Sequence, residues 1–322
     1  MPNEYEGRYV KLVFIEQPLS IQTKPVAGPG YVLAFTDEDA SPNDGFTDFE
    51  EIDGGSHPTK PMGTVVAPNG TVNIPFHFDS GVWALRFGIG IQTTAGDTPV
   101  VGSYTHTFNL GSVFGEVPGF AIEKQQLDAT TLQSRLMWGS RVNTFGFECA
   151  LTSAVIFNLG CEFLNMDPWS PTLIVPAPTE FTSLPIDSLT QILKVNGSQD
   201  CNVESFSGTL DWRLQTDRHP VGCGGVRSNL IRMKPMLSGS IAAFFGDPTH
   251  ALITAAENKT VQSFEIVTPG ADPNTENLSF LIENAELAQT GEAVDSSGGQ
   301  LITFDWNAYA DCLTVELVNT TP

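Results

Sequence analysis

The chain has 322 residues, with 37 acidic against 15 basic side chains and a formal charge of −22. Hydrophobic residues at 41% with charged residues at only 16% exclude a disordered chain. The negative charge argues against tight binding to nucleic acid or to an anionic membrane surface.

In chain order, the opening Met1–Arg8 carries acid where a secretory signal carries base, so a soluble protein made in a cytoplasm is expected. No apolar run reaches the roughly 18 residues of a membrane helix. The stretch 36–63 is irregular and acidic. Asp37, Asp39 and Ser41 have the alternate spacing of a calcium loop, but Pro42 stands where such a loop needs glycine, so a solvated loop is expected. Val72, Ile74, Phe76 and Phe78 alternate as a strand over 70–78. A short helix over 79–87 follows, capped by Asp79 or Ser80 and ending before Gly88. Strands are expected at Tyr104–Asn109 and Phe120–Lys124, then a hairpin over 141–163. Its arms carry Phe145, Phe147, Cys149 and Leu151, then Val155, Phe157, Leu159, Cys161 and Phe163. A turn centred on Ser153 would set Cys149 opposite Phe157.

Prolines 168, 171, 176 and 178 mark 164–185 as a linker-like stretch. Beyond it, Leu210-Trp212-Leu214 and Ile241-Ala243-Phe245 alternate as strands, separated by an irregular 216–236. Asp247 as N-cap and Pro248 at the first position start a helix over 248–257. Strands at Val261–Val267 and Leu278–Leu287 and a hairpin over 300–318 complete the chain. Period-two alternation throughout predicts a mainly antiparallel β protein with one polar face per strand.

The order strand, helix, two strands, hairpin occurs on both sides of the proline-rich stretch, and Gly70 aligns with Gly239 without a gap into the helix. This predicts a tandem duplication: a first unit over 1–165, a linker over 166–182 and a second unit over 183–322.

Motifs of chemistry are missing. The five cysteines (Cys149, Cys161, Cys201, Cys223 and Cys312) form no C-x-x-C pair and read as free structural thiols. The five histidines are single, and His106 on a strand reads as a satisfied structural group. Gly222–Gly225 lacks the Lys-Ser/Thr of a phosphate loop and reads as a turn. No catalytic residue, cofactor or metal site is predicted.

The runs Tyr104-Thr-His106-Thr-Phe108, Pro118-Gly-Phe-Ala-Ile122-Glu123-Lys and Gly139-Ser-Arg-Val142-Asn143-Thr-Phe-Gly-Phe147 resemble the tail tube (major tail) proteins of long-tailed, siphovirus-like bacteriophages. Val195-Asn196-Gly197, Gly239-Ser-Ile-Ala-Ala-Phe-Phe245-Gly-Asp247 and Asp305-Trp-Asn-Ala308 look like the same family's second half. The resemblance covers roughly residues 60–320 and rests on order and spacing. It implies an antiparallel β-sandwich or barrel with short flanking helices. Subunits would close into rings, a homotrimer with six quasi-equivalent units or a homohexamer, stacked around a channel that passes DNA without binding it. The implied partners are further copies of the chain and other tail proteins (tape measure, terminator, distal tail). The implied place is the virion tail, assembled in the host cytoplasm, and the family brings no catalysis. Stretches 36–63 and 164–185 are then expected to order on assembly.

Polar-face acids on the predicted strands become candidate lumen residues: Glu148, Glu265, Glu283, Asp305 and Glu316. The rival reading is a β-sandwich carbohydrate-binding or adhesin module using the tryptophans, of which Trp169, between prolines, looks loop-borne. A glycoside hydrolase with paired carboxylates is a more distant third.

Overall fold

The computed structural model describes residues 10–17, 21–42, 46–47, 62–63, 67–90, 92–110, 118–128, 131–150, 154–217, 219, 227–294, 300–309 and 312–321. Strands β1 (Val10–Gln17) and β2 (Gly30–Leu33) open it, followed by short β3 (Asp37–Glu38) and a separate ladder of β4 (Phe46–Thr47) with β5 (Met62–Gly63). Then come β6 (Asn69–Pro75), helix α1 (Gly81–Gly88), β7 (Gln92–Gly96), β8 (Tyr104–Asn109), β9 (Gly119–Asp128), β10 (Thr131–Ala150), β11 (Ile156–Glu162) and β12 (Asn165–Met166). The remainder is β13 (Ile192–Val195), β14 (Ser198–Gln199), β15 (Val203–Asp211), β16 (Met236–Phe244), helix α2 (Asp247–Asn258), β17 (Gln262–Pro269), β18 (Asn277–Val294), β19 (Gln300–Ala308) and β20 (Leu313–Asn319). The protein is mainly β, one large antiparallel sheet of sandwich or barrel-like form with few helices, as the alternation predicts.

Two long strands organise the sheet. The first half of β10 pairs with β9, and its second half pairs with β11 on one side and β15 on the other. In β18, residues 277–282 pair with β20 and residues 285–294 with β19, while β17 runs along its other edge. Chain halves are joined twice within the sheet, by β10 with β15 and by β8 with β20. One hydrophobic cluster spans both: Phe147 stacks on Phe280 at 4.7 Å, and Phe157 meets Phe280 edge-on at 5.9 Å. At the second junction His106 is fully buried on β8. Its Nδ1 accepts from Gln92 Nε2 at 2.9 Å, and its Nε2 donates to Asn319 Oδ1 at 3.0 Å. Gln92 presents its NH2 to the ring because its Oε1 accepts from Arg86 at 3.2 Å. The satisfied structural histidine expected there is what the strand holds.

Several local expectations are corrected. The 141–163 hairpin has Phe147 opposite Phe157, and Cys149 lies opposite Phe206 of β15; the pairs nearest the turn centre on residue 152, one before the centre read from the sequence. Its turn, 151–153, lies outside the described residues. Strands β19 and β20 do not form a hairpin, since both lie on β18. Trp212 and Leu214 fall beyond β15, because Arg213 takes the left-handed backbone (φ 48°) and ends the strand. Gly246, not Asp247, occupies the N-cap of α2, which puts Asp247 in the first turn where its charge complements the helix dipole. Ser80 is the N-cap of α1 without a side-chain bond. Asp79 instead accepts from the backbone N–H groups of Thr182 and Ser183, at 3.2 and 3.0 Å. Asp37 and Glu38 form an edge strand on β6, and Asp39 accepts from the Thr71 amide, so this part of 36–63 is not a solvated loop. Residues 43–45 and 48–61, Cys223 and Gly222–Gly225 lie outside the described residues.

The proline-rich stretch is held to the chain's own sheet. Strand β1 reads as an unbroken apolar run because both its faces are covered: Leu12 and Phe14 enter the main core, whereas Val13 and Ile15 join Ala121, Leu136 and Val175 in a second cluster. Glu123, fully buried on β9, accepts from the amides of Ile174 and Val175 at 2.7 and 2.9 Å and from Gln125 at 3.1 Å. Ser170 bridges Ser134, and Thr179 bridges Tyr31. Stretch 164–185 is therefore ordered within one chain, since a buried carboxylate needs those amides as much as they need it.

Glu123→Ala would leave two buried amides without an acceptor, at a cost of about 2–4 kcal/mol. Chemical denaturation should show that loss, and limited proteolysis should open the chain near Pro176. Glu123→Gln keeps one acceptor oxygen and should fall between.

Candidate functional site

The long ladders bring eight strands side by side in the order β3, β6, β11, β10, β15, β16, β19, β18. One register row crosses all of them: Asp37, Asn73, Asn158, Gly146, Thr209, Ser238, Asn307 and Glu286. A neighbouring row runs Glu148, Ser207, Ser240, Asp305, Ala288. These side chains lie on the face turned away from the core, because residues directly opposite in a ladder share a face. They are short, polar or acidic, and neither row contains Lys or Arg. The Ser207 and Ser240 hydroxyls share a hydrogen bond of 2.9 Å, and Asn158 Nδ2 donates to Asn73 Oδ1 at 2.7 Å. Ser207, Thr209, Ser238, Ser240, Asp305 and Asn307 line a shallow open groove.

The core side of the same belt explains its flatness. The row Phe147, Gly208, Gly239, Trp306 sets two glycines between two large rings. A Cβ on Gly208 would meet the Phe147 ring at 2.3 Å, and one on Gly239 would meet Trp306 at 2.6 Å and the Ser207 carbonyl oxygen at 1.9 Å. Each ring covers the glycine beside it, which seals the core and leaves the outer face low.

Of the acids proposed from sequence, Glu148 and Asp305 share a row three strand spacings apart, about 14 Å. Glu316 lies opposite Ser279 and Thr107, and Glu283 sits at the irregularity where Asn284 has φ 56°; both are exposed. Glu265 faces Lys194 across the ladder and pairs with it at 3.1 Å. Sequence reasoning missed Glu286, Asp37 and the small hydroxyl residues. The alternation Ser205-Ser207-Thr209 and Ser238-Ser240 was the available signal, overlooked because short polar residues also fill turns.

Other sequence candidates do not converge. Among the described residues no group of three or more His, Cys, Asp or Glu could hold a metal ion, and no helix is long and apolar enough to cross a membrane. Trp169 is the one strongly exposed tryptophan of the five; Trp212 and Trp306 belong to the core, while Trp83 and Trp138 pack against it. Cys149, Cys161 and Cys201 are free thiols. Burial, and then the neighbouring Glu148 charge, push the Cys149 thiol from 9.0 up to about 11; burial pushes Cys161 higher still.

The fold is thus a large antiparallel sheet with one packed face and one polar, acidic face. The chain belongs to a phage tail tube family: the family model described as phage tail tube protein matches residues 20–308. It is thus a structural component of a phage tail, a kind of protein that assembles with itself and with other tail proteins. No curated protein matches the chain.

Gly239→Ala forces a methyl against a carbonyl oxygen and an indole, neither free to move, and should destabilise by about 1–3 kcal/mol or prevent folding; thermal melting checks this. At neutral pH a thiol reagent should label exposed Cys201 well before Cys149. An unfolded chain ionises Cys149 near 9.0 and the folded one near 11, so this thiol's contribution to stability is lost as pH rises between those values. Denaturant titrations at pH 8 and 11, compared with Cys149→Ser, test that sign.

Proposed function

We propose that the chain is the tail tube subunit of a siphovirus-like phage, closing into stacked rings whose lumen is the eight-strand polar face. The observation that carries this reading is that face: two register rows of short side chains with acids and no cations. A like-charged, low-relief wall lets duplex DNA slide, because no counterions are released to drive adhesion. Glu148, Asp305 and Glu286 are the lumen acids. Glu283 and Glu316 extend the charge, and Glu265 is partly offset by Lys194. The reading involves no catalytic step.

Strand arithmetic favours three chains. Three eight-strand belts make a wall of about 24 strands, and at about 4.8 Å per strand its circumference is roughly 115 Å and its bore roughly 37 Å. Six such chains would open roughly 73 Å, far wider than a duplex needs. Two belt ends support closure by neighbours: among the described residues, β3 and the 288–294 part of β18 are unpaired on their outer sides. In a trimer the two halves of each chain, built on β6–α1 and β16–α2, would supply the quasi-equivalent units. Assembly in the host cytoplasm and placement in the virion tail follow from the same reading.

Electron microscopy of the purified protein should show stacked rings with a channel of about 40 Å, wide enough for a duplex with its hydration, and native mass spectrometry should give three chains per ring. Discrete monomers at high concentration would overturn the tube. In phage particles, replacing Glu148, Glu286 and Asp305 together by Lys should slow DNA ejection. Unchanged ejection from tubes of normal length would remove this face from the lumen.

A further inference from the structure

Strand pairing repeats along this chain. In the belt, the series β3, β6, β11, β10 is followed by β15, β16, β19, β18. The other ladders match as β2, β1, β9, β10 and β14, β13, β17, β18. The registers correspond residue by residue. The row Glu38, Val72, Leu159, Phe145 has its counterpart in Phe206, Ile241, Phe304, Gln289. The row Phe14, Ile122, Met137 has its counterpart in Val195, Phe264, Ile282. Two residues past Met137 and past Ile282 the backbone turns left-handed in both places, at Gly139 (φ 66°) and Asn284 (φ 56°).

Where the first series meets the second, Phe147 of β10 stacks on Phe280 of β18 at 4.7 Å. Both positions of this contact have counterparts of opposite charge. Phe147 lies opposite Phe157, which lies opposite Ile74; Glu292 lies opposite Ile302, which lies opposite Ala243. Phe280 lies opposite Ile266, which lies opposite Leu193; Arg135 lies opposite Lys124, which lies opposite Leu12. Glu292 thus stands where Phe147 stands, and Arg135 where Phe280 stands, but at the two open ends of the belt. Glu292 is exposed and accepts from the Gln300 side chain. Arg135 is half-buried, its Nε donating to the Asp167 carbonyl oxygen at 2.9 Å, and among the described residues its guanidinium has no carboxylate partner. Lys124, beside it, is bound to Glu38 of β3, so Arg135 stands next to the open edge strand.

We propose that Glu292 of one copy pairs with Arg135 of the next, across the seam where the end of β18 adds to β3. This rests on the tube reading, which brings those two ends together. A second copy is the fitting occupant because joining β18 to β3 in the register of β10 on β15 carries Glu292 to the place that Phe147 holds over Phe280. The planar guanidinium takes a carboxylate with paired bonds. Within the chain the junction is never open to water and uses aromatic rings. At the seam each free subunit shows its half to solvent, where exposed rings would promote unspecific association. The second internal join, β8 on β20, has no counterpart at the seam, because only residues 259–261 lie between α2 and β17. Assembly through the pair weakens with added salt.

Charge exchange tests the pair. Glu292→Arg and Arg135→Glu, each alone, should raise the protein concentration at which rings form by roughly tenfold or more. The monomer of Glu292→Arg should melt as wild type does, since Glu292 is exposed. Arg135→Glu combined with Glu292→Arg restores opposite charges and should return ring formation close to the wild-type concentration. Should Arg135→Glu fail to fold, Arg135→Met and Glu292→Gln complete a cycle in which each change weakens assembly and the two together weaken it no further. Single reversals that form rings at the wild-type concentration, or a double variant whose loss multiplies the two single losses, would overturn the pair and leave the tube standing. Wild-type protein that forms no rings at any concentration would overturn the tube reading and the pair with it.

Discussion

Two glycines set side by side between two aromatic rings decide how the halves of this chain meet. Phe147, Gly208, Gly239 and Trp306 stand in one register row across β10, β15, β16 and β19. Without Cβ atoms on the two middle strands, the rings can lie flat over the backbone and fill the core from both sides. Because side chains alternate faces along a strand, a slip of one residue would send Phe147 outward and bring Glu148 into the core. The row therefore fixes the register of four strands at once, and with it the identity of every residue on the outer face. The join between β8 and β20 depends on a second device, the buried His106 bound to Gln92 and Asn319, which is polar and fully paired.

Much of this was legible in the sequence. Tyr104–Asn109 is β8 to the residue, and the arms of β11, β17 and β20 follow their alternation closely. Legibility failed where a strand is covered on both faces or where partners are distant. Val10–Gln17 shows no alternation because Val13 and Ile15 pack under the proline-rich stretch, which the prolines alone marked as a linker. Reading 300–318 as a hairpin followed from proximity in sequence, yet β20 finds apolar partners in Leu278, Phe280 and Ile282 of β18, and β19 pairs with the later part of the same long strand. Likewise the candidate acids were readable one at a time, but that Glu148 and Asp305 share a row depends on β15 and β16 lying between them.

The charge distribution separates two tasks. On the polar belt, acids stand among hydroxyl and amide side chains with no cation in either row, which keeps the face hydrated and unpaired. On the 213–234 stretch, cations outnumber acids. Copies of a chain at −22 repel one another at long range.

Short side chains on the belt matter as much as their charge. Lysine or arginine side chains would project into any channel lined by this face, and their conformational freedom would be restricted by each passing ligand, at an entropic cost. Serine, threonine, asparagine and glycine present hydroxyls, amides and bare backbone close to the sheet, where water can bridge them to a passing surface. The glycine–aromatic row makes this economy possible, because bulk needed to seal the sheet is placed wholly on the core side. The same register that closes the core thus lowers the outer face, and neither property can be changed by a substitution at Gly208 or Gly239 without disturbing the other.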